Sequence, residues 1–241
     1  VSAFFSNHSD IGGIIHFAAY KAVGESVEKP LQYYDNNLGG IVNLLLEAEK
    51  LNRSLPFIFS SSCTVYGQAD ALPITEDAPI KKANSPYGNT KQIGEEILFD
   101  VTQSKDIVNV ISLRYFNPIG AHPSLEIGEL PIGKPQNLVP FITQTAAGLH
   151  DKLTIFGDDY PTTDGTCVRD YIHVVDLSKA HVVALQRLLN QKQTSNYEVF
   201  NLGTGTGSSV LEVVQSFERT SGRSLAYEIG PRRTGDVIAA Y

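Results

Sequence analysis

Three side chains in this 241-residue sequence could together take a proton from an alcohol. Tyr87 and Lys91 stand four apart in Tyr87-Gly88-Asn89-Thr90-Lys91, so on a helix they share one face, one turn apart. A tyrosine with its ordinary pKa of about 10 is a poor base at neutral pH. A neighbouring ammonium or a cationic cofactor ring favours the phenolate, and each pKa unit is worth roughly 1.4 kcal/mol. Lys91 is therefore expected to pull Tyr87 down toward the range in which general acid–base chemistry works. Ser62, closing Ser60-Ser61-Ser62, could hydrogen-bond the same substrate hydroxyl. A Tyr-x-x-x-Lys spacing by itself is usually a chance helical pair, so the weight falls on its setting.

That setting is a strand followed by a capped helix. Pro56-Phe57-Ile58-Phe59 is a short apolar run that ends in the serines, and it reads as a buried parallel strand. In open α/β sheets, ligands bind outside the carboxyl ends of such strands. A loop over residues 67–84 follows, and Ser85-Pro86 then opens a helix: Ser at the cap, Pro in the first turn. The helix runs to about Gln103, and Ile107 to Tyr115 is the next strand. Upstream, Ile11 to Ala19 reads as a strand and Pro30 to Asn52 as a helix whose Leu38, Ile41, Val42, Leu45 and Leu46 form the buried face. Asn36 and Asn37 sit inside that helix although asparagine is a poor helix former. Strand and helix alternating in this way indicate an α/β fold with a doubly wound parallel sheet.

Beyond Tyr115-Phe116-Asn117-Pro118 the composition changes. Residues 120–137 are rich in proline and glycine and read as loop, which places a domain boundary there. An apolar helix from Asn137-Leu138 to about Leu149, a strand at Leu153-Thr154-Ile155-Phe156, an amphipathic helix from Leu177 to Leu189 and a strand at residues 199–203 follow. Gly203-Thr204-Gly205-Thr206-Gly207 then imitates a dinucleotide fingerprint, sitting between a strand and the helix of residues 210–217. Its spacing is G-x-G-x-G rather than G-x-G-x-x-G, so it reads as a structural turn.

Charge and composition exclude several classes. A formal net charge of −7 argues against general nucleic-acid binding, so an anionic diphosphate would need local arginines or helix N-termini. Arg169 in Val168-Arg169-Asp170-Tyr171 could be such an arginine or one half of a surface ion pair, and Arg233 could be a phosphate ligand or part of a basic turn. No apolar run approaches the ~20 residues that span a membrane. Cys63 and Cys167 are too few for a disulfide framework and read as thiols of a cytoplasmic protein. The six histidines show no metal spacing, and His173 reads as a hydrogen-bonded structural residue; no metal site is expected. Phe17-Ala18-Ala19, ending the first strand, could let a flat cofactor lie on the backbone or could be a plain strand terminus.

Five stretches together carry a resemblance. Ser60 to Gly67 (SSSCTVYG), Ser85 to Lys91 (SPYGNTK), Phe17 to Val27 (FAAYKAVGESV), Arg114 to Pro123 (RYFNPIGAHP) and Val168 to Val174 (VRDYIHV) resemble the extended short-chain dehydrogenase/reductases that act on nucleotide sugars, and among these the UDP-glucose 4-epimerase family. The likeness runs nearly end to end. It implies a Rossmann domain of the extended short-chain dehydrogenase type, N-terminally truncated, holding NAD, with a smaller α/β domain for a UDP-sugar. Residues 1–119 would be the remainder of the NAD-binding domain and 120–241 mainly the sugar-nucleotide domain, with about 168–202 returning to the first. It implies catalysis by Tyr87, Lys91 and Ser62. Cofactor contacts would come from Phe17, Ala18, Ala19, Lys21, Asn36, Ser60, Tyr87, Lys91 and Phe116. The substrate would meet Lys21, Ser62 and Tyr87, and also Asn117, Asn137, Leu138, Thr154, Phe156, Arg169, Arg233 and Asp236, with Thr64 supporting the polar cluster.

The reaction implied is interconversion of UDP-galactose and UDP-glucose through a transient 4-keto sugar and enzyme-bound NADH, in a homodimer paired through the two long helices. Two related chemistries are less compatible. A 4,6-dehydratase needs a carboxylate pair beside the serine, where this chain has Cys63 and Thr64, and a UDP-glucuronate decarboxylase would carry a glutamate there. A non-catalytic sensor of the same fold would have no use for the whole Ser, Tyr and Lys set. The family position that limits room at the sugar's C2 substituent falls near Ala240, so UDP-GlcNAc/UDP-GalNAc interconversion is a second expected activity. Family members begin with a glycine-rich βα turn, and nothing before Gly12 supplies it. The chain starts with Val and contains no Met, so it is expected to be the interior of a longer protein, missing at least one βαβ unit of roughly 30 residues, and inactive as it stands.

Overall fold

The computed structural model describes every residue except Asn52, Ile132, Lys134 and Thr234. In chain order the elements are α1 (Ser2–Asn7), β1 (Ile14–His16), α2 (Val23–Glu28), α3 (Pro30–Glu49), β2 (Leu55–Ser62), α4 (Pro86–Ser104), β3 (Val108–Tyr115) and β4 (Asn117–Ile119). Then come α5 (Leu138–Ala146), β5 (Leu153–Phe156), β6 (Val168–His173), α6 (Val174–Leu189) and β7 (Tyr197–Leu202). Last are β8 (Gly207–Ser209), α7 (Val210–Ser221), β9 (Tyr227–Gly230) and β10 (Ala239–Ala240). The chain divides into two compact units, one of residues 1–67, 76–115 and 178–202, the other of 68–75, 116–177 and 203–241.

The first unit is a four-stranded, all-parallel sheet in the order β1-β2-β3-β7. Its strands are apolar on both faces, as a sheet covered on both sides requires. Phe57 and Phe59 point to one face and pack with Ile41, Leu45 and Ala48 of α3 and Leu98 of α4. Ile58, Ile111 and Leu113 point to the other and meet Ala184 and Leu188 of α6. Phe57, Ile58 and Phe59 are essentially inaccessible, and each such side chain contributes roughly 1.5–3 kcal/mol by leaving water. The doubly wound sheet inferred from the alternation is therefore present. Gly94 sets how closely α4 lies on it: a β-carbon there would stand 2.9 Å from the Phe59 ring and 3.0 Å from Ile41.

The second unit holds β10-β6-β4 in parallel pairings, β8 antiparallel on β6, and a separate parallel pair β5-β9. Ile142 of α5, Leu153 and Ile155 of β5, Val214 of α7 and Leu225 form its core. Helix α7 begins with a capping box: Ser209 Oγ accepts from Glu212 N, and the Glu212 carboxylate accepts from Ser209 N.

Several local expectations are corrected. The first strand is only Ile14–His16. Helix α3 ends at Glu49, and the expected terminus Asn52 lies outside the described residues. Its buried stripe is Tyr33, Asn37, Ile41, Leu45 and Ala48, whereas Val42 and Leu46, about 100° further round the helix, are exposed. Helix α5 stops at Ala146 because Gly148 turns to φ +78°. Residues 168–173, read as a charged motif, are strand β6, and α6 starts at Val174, three residues before Leu177.

Candidate active site

The first unit gathers its polar side chains at the carboxyl end of β2. Ser60, Ser61 and Ser62 are all buried there. Ser62 leaves the strand and caps the short 3₁₀ turn Cys63–Tyr66, its Oγ accepting from Thr64 N at 3.2 Å. Helix α4 starts as the sequence indicates, with Ser85 Oγ accepting from Gly88 N at 3.1 Å and Pro86 in the first turn. Tyr87 is thereby half-buried, and its phenol is hydrogen-bonded to the Ser62 hydroxyl. One turn on, Lys91 is buried and its Nζ donates to Ser60 O at 2.6 Å. That ammonium is 5.9 Å from the centre of the Tyr87 ring and 5.0 Å from that of Phe59. The three catalytic candidates are thus together.

Their protonation differs from the expectation. Burial pushes the Tyr87 phenol up to about 12; the Ser62 hydrogen bond opposes this and the neighbouring Cys63 thiol adds to it. Burial also pulls Lys91 down to about 8, against the pull of Glu95. In the protein by itself Lys91 does not turn Tyr87 into a base. The reason is desolvation: the apolar surroundings that hold the pair penalise both charged forms. His16, at the end of β1 with its ring stacked on Phe59, is held at about 4 by burial and by the Lys91 charge, so it is neutral.

The donor set here suits a nicotinamide nucleotide. Among the described residues Lys91 Nζ has one hydrogen-bond acceptor, Ser60 O, and an ammonium has three donors, so ribose hydroxyls could take the rest. Beyond β1, Phe17 is 54% exposed against the His181 ring, Ala18 is exposed and Ala19 half-buried, so small side chains leave the strand terminus open. Lys21 is exposed. Ser60 Oγ is hydrogen-bonded to the Tyr115 hydroxyl. Asn36 is exposed and donates to Asn37 Oδ1 at 2.9 Å. It is the buried Asn37 that ties elements together: it accepts from Tyr20 N at 2.8 Å and donates to Tyr20 O and to Thr90 Oγ1 of α4. An asparagine inside a strong helical pattern was the signal for it. Among the described residues buried Thr64 Oγ1 has no hydrogen-bond partner, which leaves it an acceptor and donor to spend.

The second unit builds a cationic cluster. Arg233 donates to the two oxygens of Asp236 at 3.2 and 2.8 Å, and Arg169 NH2 stands 3.6 Å from the same carboxylate. Arg233 also lies over the Phe156 ring, 5.6 Å from its centre. Arg169, Arg233, Asp236 and Phe156 are therefore brought together; Thr234, within the same turn, lies outside the described residues. Thr154 shares a face of β5 with Phe156 and bonds Glu228. Asn137 stands at the N-cap of α5 without capping it, and Leu138 packs in the core. Asn117 starts β4 opposite Tyr171. Phe116 is buried, one of the atoms a β-carbon at Gly203 would strike, at 2.7 Å.

Asp170 is a residue that sequence reasoning missed. It is fully buried, and its carboxylate accepts from Thr204 N, Gly205 N and Thr204 Oγ1 at 2.7–2.8 Å. The glycine-rich turn is folded round this carboxylate, so the amides that could cradle a phosphate are already satisfied. His173 accepts from Val175 N, which suits its reading as a structural residue. Among the described residues no cluster of metal-ligating side chains occurs, and no helix is long and apolar enough to cross a membrane.

A parallel, doubly wound α/β sheet with a Ser–Tyr–Lys set at the carboxyl end of a central strand defines a Rossmann-type protein, and a set of these three types could take a proton from an alcohol. Residues 1–203 match the NAD dependent epimerase/dehydratase family. A UDP-glucose 4-epimerase of Drosophila melanogaster is 51% identical over 241 residues, all of this chain and 68% of that protein. One from Bacillus subtilis is 50% identical over 240 residues, covering 69% of its length. Among solved structures, the UDP-glucose 4-epimerase of Bifidobacterium longum in complex with NAD+ and UDP superposes on the whole chain with a TM-score of 0.93 at 46% identity, over 70% of its own length. The chain belongs to the NAD dependent epimerase/dehydratase family.

Proposed function

We propose that this chain carries the catalytic centre of an isomerase that interconverts UDP-galactose and UDP-glucose with tightly held NAD. The observation that carries the reading is the Ser62–Tyr87–Lys91 set at the end of β2, in a chain about 50% identical to UDP-glucose 4-epimerases along its length.

Bound NAD supplies a hydride acceptor and donor and a positively charged ring. Tyr87 would take the proton of the sugar's 4-hydroxyl as that carbon is oxidised to the ketone. Lys91 holds the ribose and stabilises the phenolate. Ser62 hydrogen-bonds the reacting oxygen and the phenol together. Tyr87 would return the proton to the same oxygen when the keto sugar, turned over in place, is reduced on its other face. Burial pushes the Tyr87 phenol up to about 12, so a positively charged cofactor ring beside it would favour the phenolate that proton removal needs. Phe17, Ala18, Ala19, Lys21, Asn36, Ser60 and Phe116 are assigned to the cofactor. Lys21, Asn117, Asn137, Leu138, Thr154, Phe156 and Asp236 are assigned to the UDP-sugar, and Arg169 and Arg233 to its diphosphate.

A homodimer through α3 and α4 completes the reading. Leu31, Val42 and Leu46 of α3 and Phe99 of α4 are exposed apolar side chains, which such pairing would cover. The two thiols support a cytoplasmic location. Acetylated sugars form a second reading, favoured by one observation: Ala240, small and buried, pairs in register with Arg169. Ala240→Tyr would then abolish UDP-GalNAc conversion and spare UDP-galactose; equal loss of both would exclude it.

The deciding experiment mixes the whole gene product, purified without added NAD, with UDP-galactose and follows the anomeric proton signals. A mixed equilibrium with UDP-glucose is expected, and Tyr87→Phe should lower the rate by about 10³-fold or more while UDP still binds. An enzyme that holds NAD and UDP-galactose yet leaves the sugar unchanged would overturn the reading.

A further inference from the structure

Of the buried charged groups that the mechanism above leaves unused, Glu95 stands directly behind the site. Glu95 follows Lys91 by four residues on α4, so the two share a helix face. It is buried, and both oxygens are occupied. Oε1 accepts from Ser61 Oγ at 2.5 Å and from Arg114 Nε at 2.9 Å, and Oε2 accepts from Arg114 NH2 at 2.5 Å. Ser61 and Arg114 are register partners on β2 and β3, so they point from the same face of the sheet toward α4. Arg114 also donates from NH1 to the Tyr66 hydroxyl at 3.0 Å, and that hydroxyl donates to Asn201 Oδ1 at 2.7 Å. One carboxylate thus joins the helix bearing Tyr87 and Lys91 to the strand bearing the serines and to its neighbour.

A buried ion pair is weak ground for stability, because desolvating both ions offsets their attraction. Holding one geometry and one charge distribution is what such a pair can do that apolar packing cannot. Lys91 needs both: its ammonium must survive burial, and its Nζ must reach Ser60 O, the residue next to Ser61.

We propose that Glu95 is a positioning residue, clamped by Arg114 and Ser61, that keeps Lys91 in its ammonium form and fixes α4 against the serine segment. The proposal rests on the catalytic reading of Tyr87 and Lys91. Other groups facing Lys91 do not supply the negative charge. His16 from β1 is neutral above pH 4, Tyr87 on α4 and Tyr115 on β3 are neutral phenols raised by burial, and Ser60 on β2 offers a carbonyl. From α3 the neutral Asn37 reaches Thr90, and from β7 the Tyr197 phenol, raised by burial and by the Glu95 charge, is hydrogen-bonded to Ser112 and to Glu95 itself. Cys63 acts on Tyr87, and Arg114 acts on Lys91 only across Glu95.

The test uses the whole gene product with ¹³Cε-labelled lysine, the Lys91 resonance assigned by its loss in Lys91→Met. Its titration midpoint is compared with the alkaline limb of the pH–kcat profile for UDP-galactose. Glu95→Gln, which keeps the shape and removes the charge, should lower both by about one pH unit. Glu95→Asp keeps the charge and should leave both near their wild-type positions even if kcat falls. Should Glu95→Gln fail to fold with Arg114 left unpaired, the double variant Glu95→Met/Arg114→Met removes both charges together and should shift the midpoint in the same direction by less. A Lys91 midpoint unmoved in Glu95→Gln or in the double variant, with the loss confined to melting temperature, would overturn the proposal. Failure of the wild type to convert UDP-galactose would instead sink the catalytic reading, while the lysine titration still decides the role of Glu95.

Discussion

Glu95 and Asp236 are both carboxylates held by arginine, one in each unit, and their settings differ. Glu95 and Arg114 expose only 9% and 8% of their side chains, and one guanidinium meets one carboxylate through both oxygens. Every oxygen of Glu95 has a partner and the cluster is neutral. At Asp236, Arg169 and Arg233 share a single carboxylate at 3.6 and 2.8 Å, so the group carries a net positive charge. Arg233 is about a third exposed, and two guanidiniums have more donors than one aspartate can accept. The same residue types therefore give a closed joint in one place and an open anion site in the other. What separates them is stoichiometry and water.

Removing the arginine from each cluster should separate them most widely. Arg114→Met leaves Glu95 buried without its counter-ion, and a loss of about 3–5 kcal/mol is expected in denaturant unfolding. Arg233→Met should cost less than about 1 kcal/mol, because Arg233 is about a third exposed and Asp236 keeps Arg169 within 3.6 Å. Adding Glu95→Met to Arg114→Met should restore most of the lost stability, since no charge is then stranded. Comparable losses at Arg114 and Arg233 would break the comparison.

Acid makes the same contrast without a mutation. His16 belongs to the buried polar set of the first unit, and burial, then the Lys91 charge, holds it at about 4 rather than 6.5. The folded form thus binds its proton later than the unfolded chain does. Its penalty is absent above pH 6.5 and grows as pH falls toward 4, by about 1.4 kcal/mol per pH unit and up to about 3 kcal/mol in all. His16→Phe should flatten that part of the stability profile. An unchanged slope between pH 6.5 and 4 would show that His16 is not buried neutral.

The first unit was largely legible because its signals are local. Ser85-Pro86 announced the start of α4, and the apolar run at 56–59 announced a buried parallel strand. Tyr87 and Lys91 followed from a four-residue spacing and the serine terminus from its place after that run. Strand β6 was harder, because Arg169, Tyr171 and His173 alternate with Val168, Asp170 and Ile172 and the charges mask the period. The Glu95–Arg114 joint could not be read at all. It joins residues 19 apart through the pairing of Ser61 with Arg114, and register is a tertiary fact. Asp170 filling a glycine turn 34 residues later is hidden for the same reason. The protonation of Tyr87 was misjudged because spacing reports which charges are near and says nothing of how much water is lost.

Binding should distinguish the clusters where stability does not. If the open cluster takes a diphosphate, Arg233→Met should weaken UDP binding by about 10- to 100-fold, with kcat much less affected, since the contact is made before and during the reaction alike. Calorimetric titration at two salt concentrations would check it, with a weaker salt dependence expected for the variant. UDP affinity unchanged by the substitution would remove Arg233 from the site.

The smallest effect tests the stoichiometric argument itself. Asp236 competes with any anion for the two guanidiniums, being hydrogen-bonded to one and within ion-pair distance of the other. Asp236→Asn keeps the size and one acceptor oxygen and removes the charge. Inorganic pyrophosphate, which offers only the anion, should then bind several-fold tighter, because nothing negative need be displaced. UDP should gain less, since the substitution also removes a carboxylate assigned to the UDP-sugar. Unfolding should move by less than about 1 kcal/mol, as Arg233 is left about a third exposed rather than sealed. Pyrophosphate binding no tighter in Asp236→Asn than in the wild type would mean the aspartate does not hold the arginines back, and the cluster would then be a joint like that at Glu95 instead of a site.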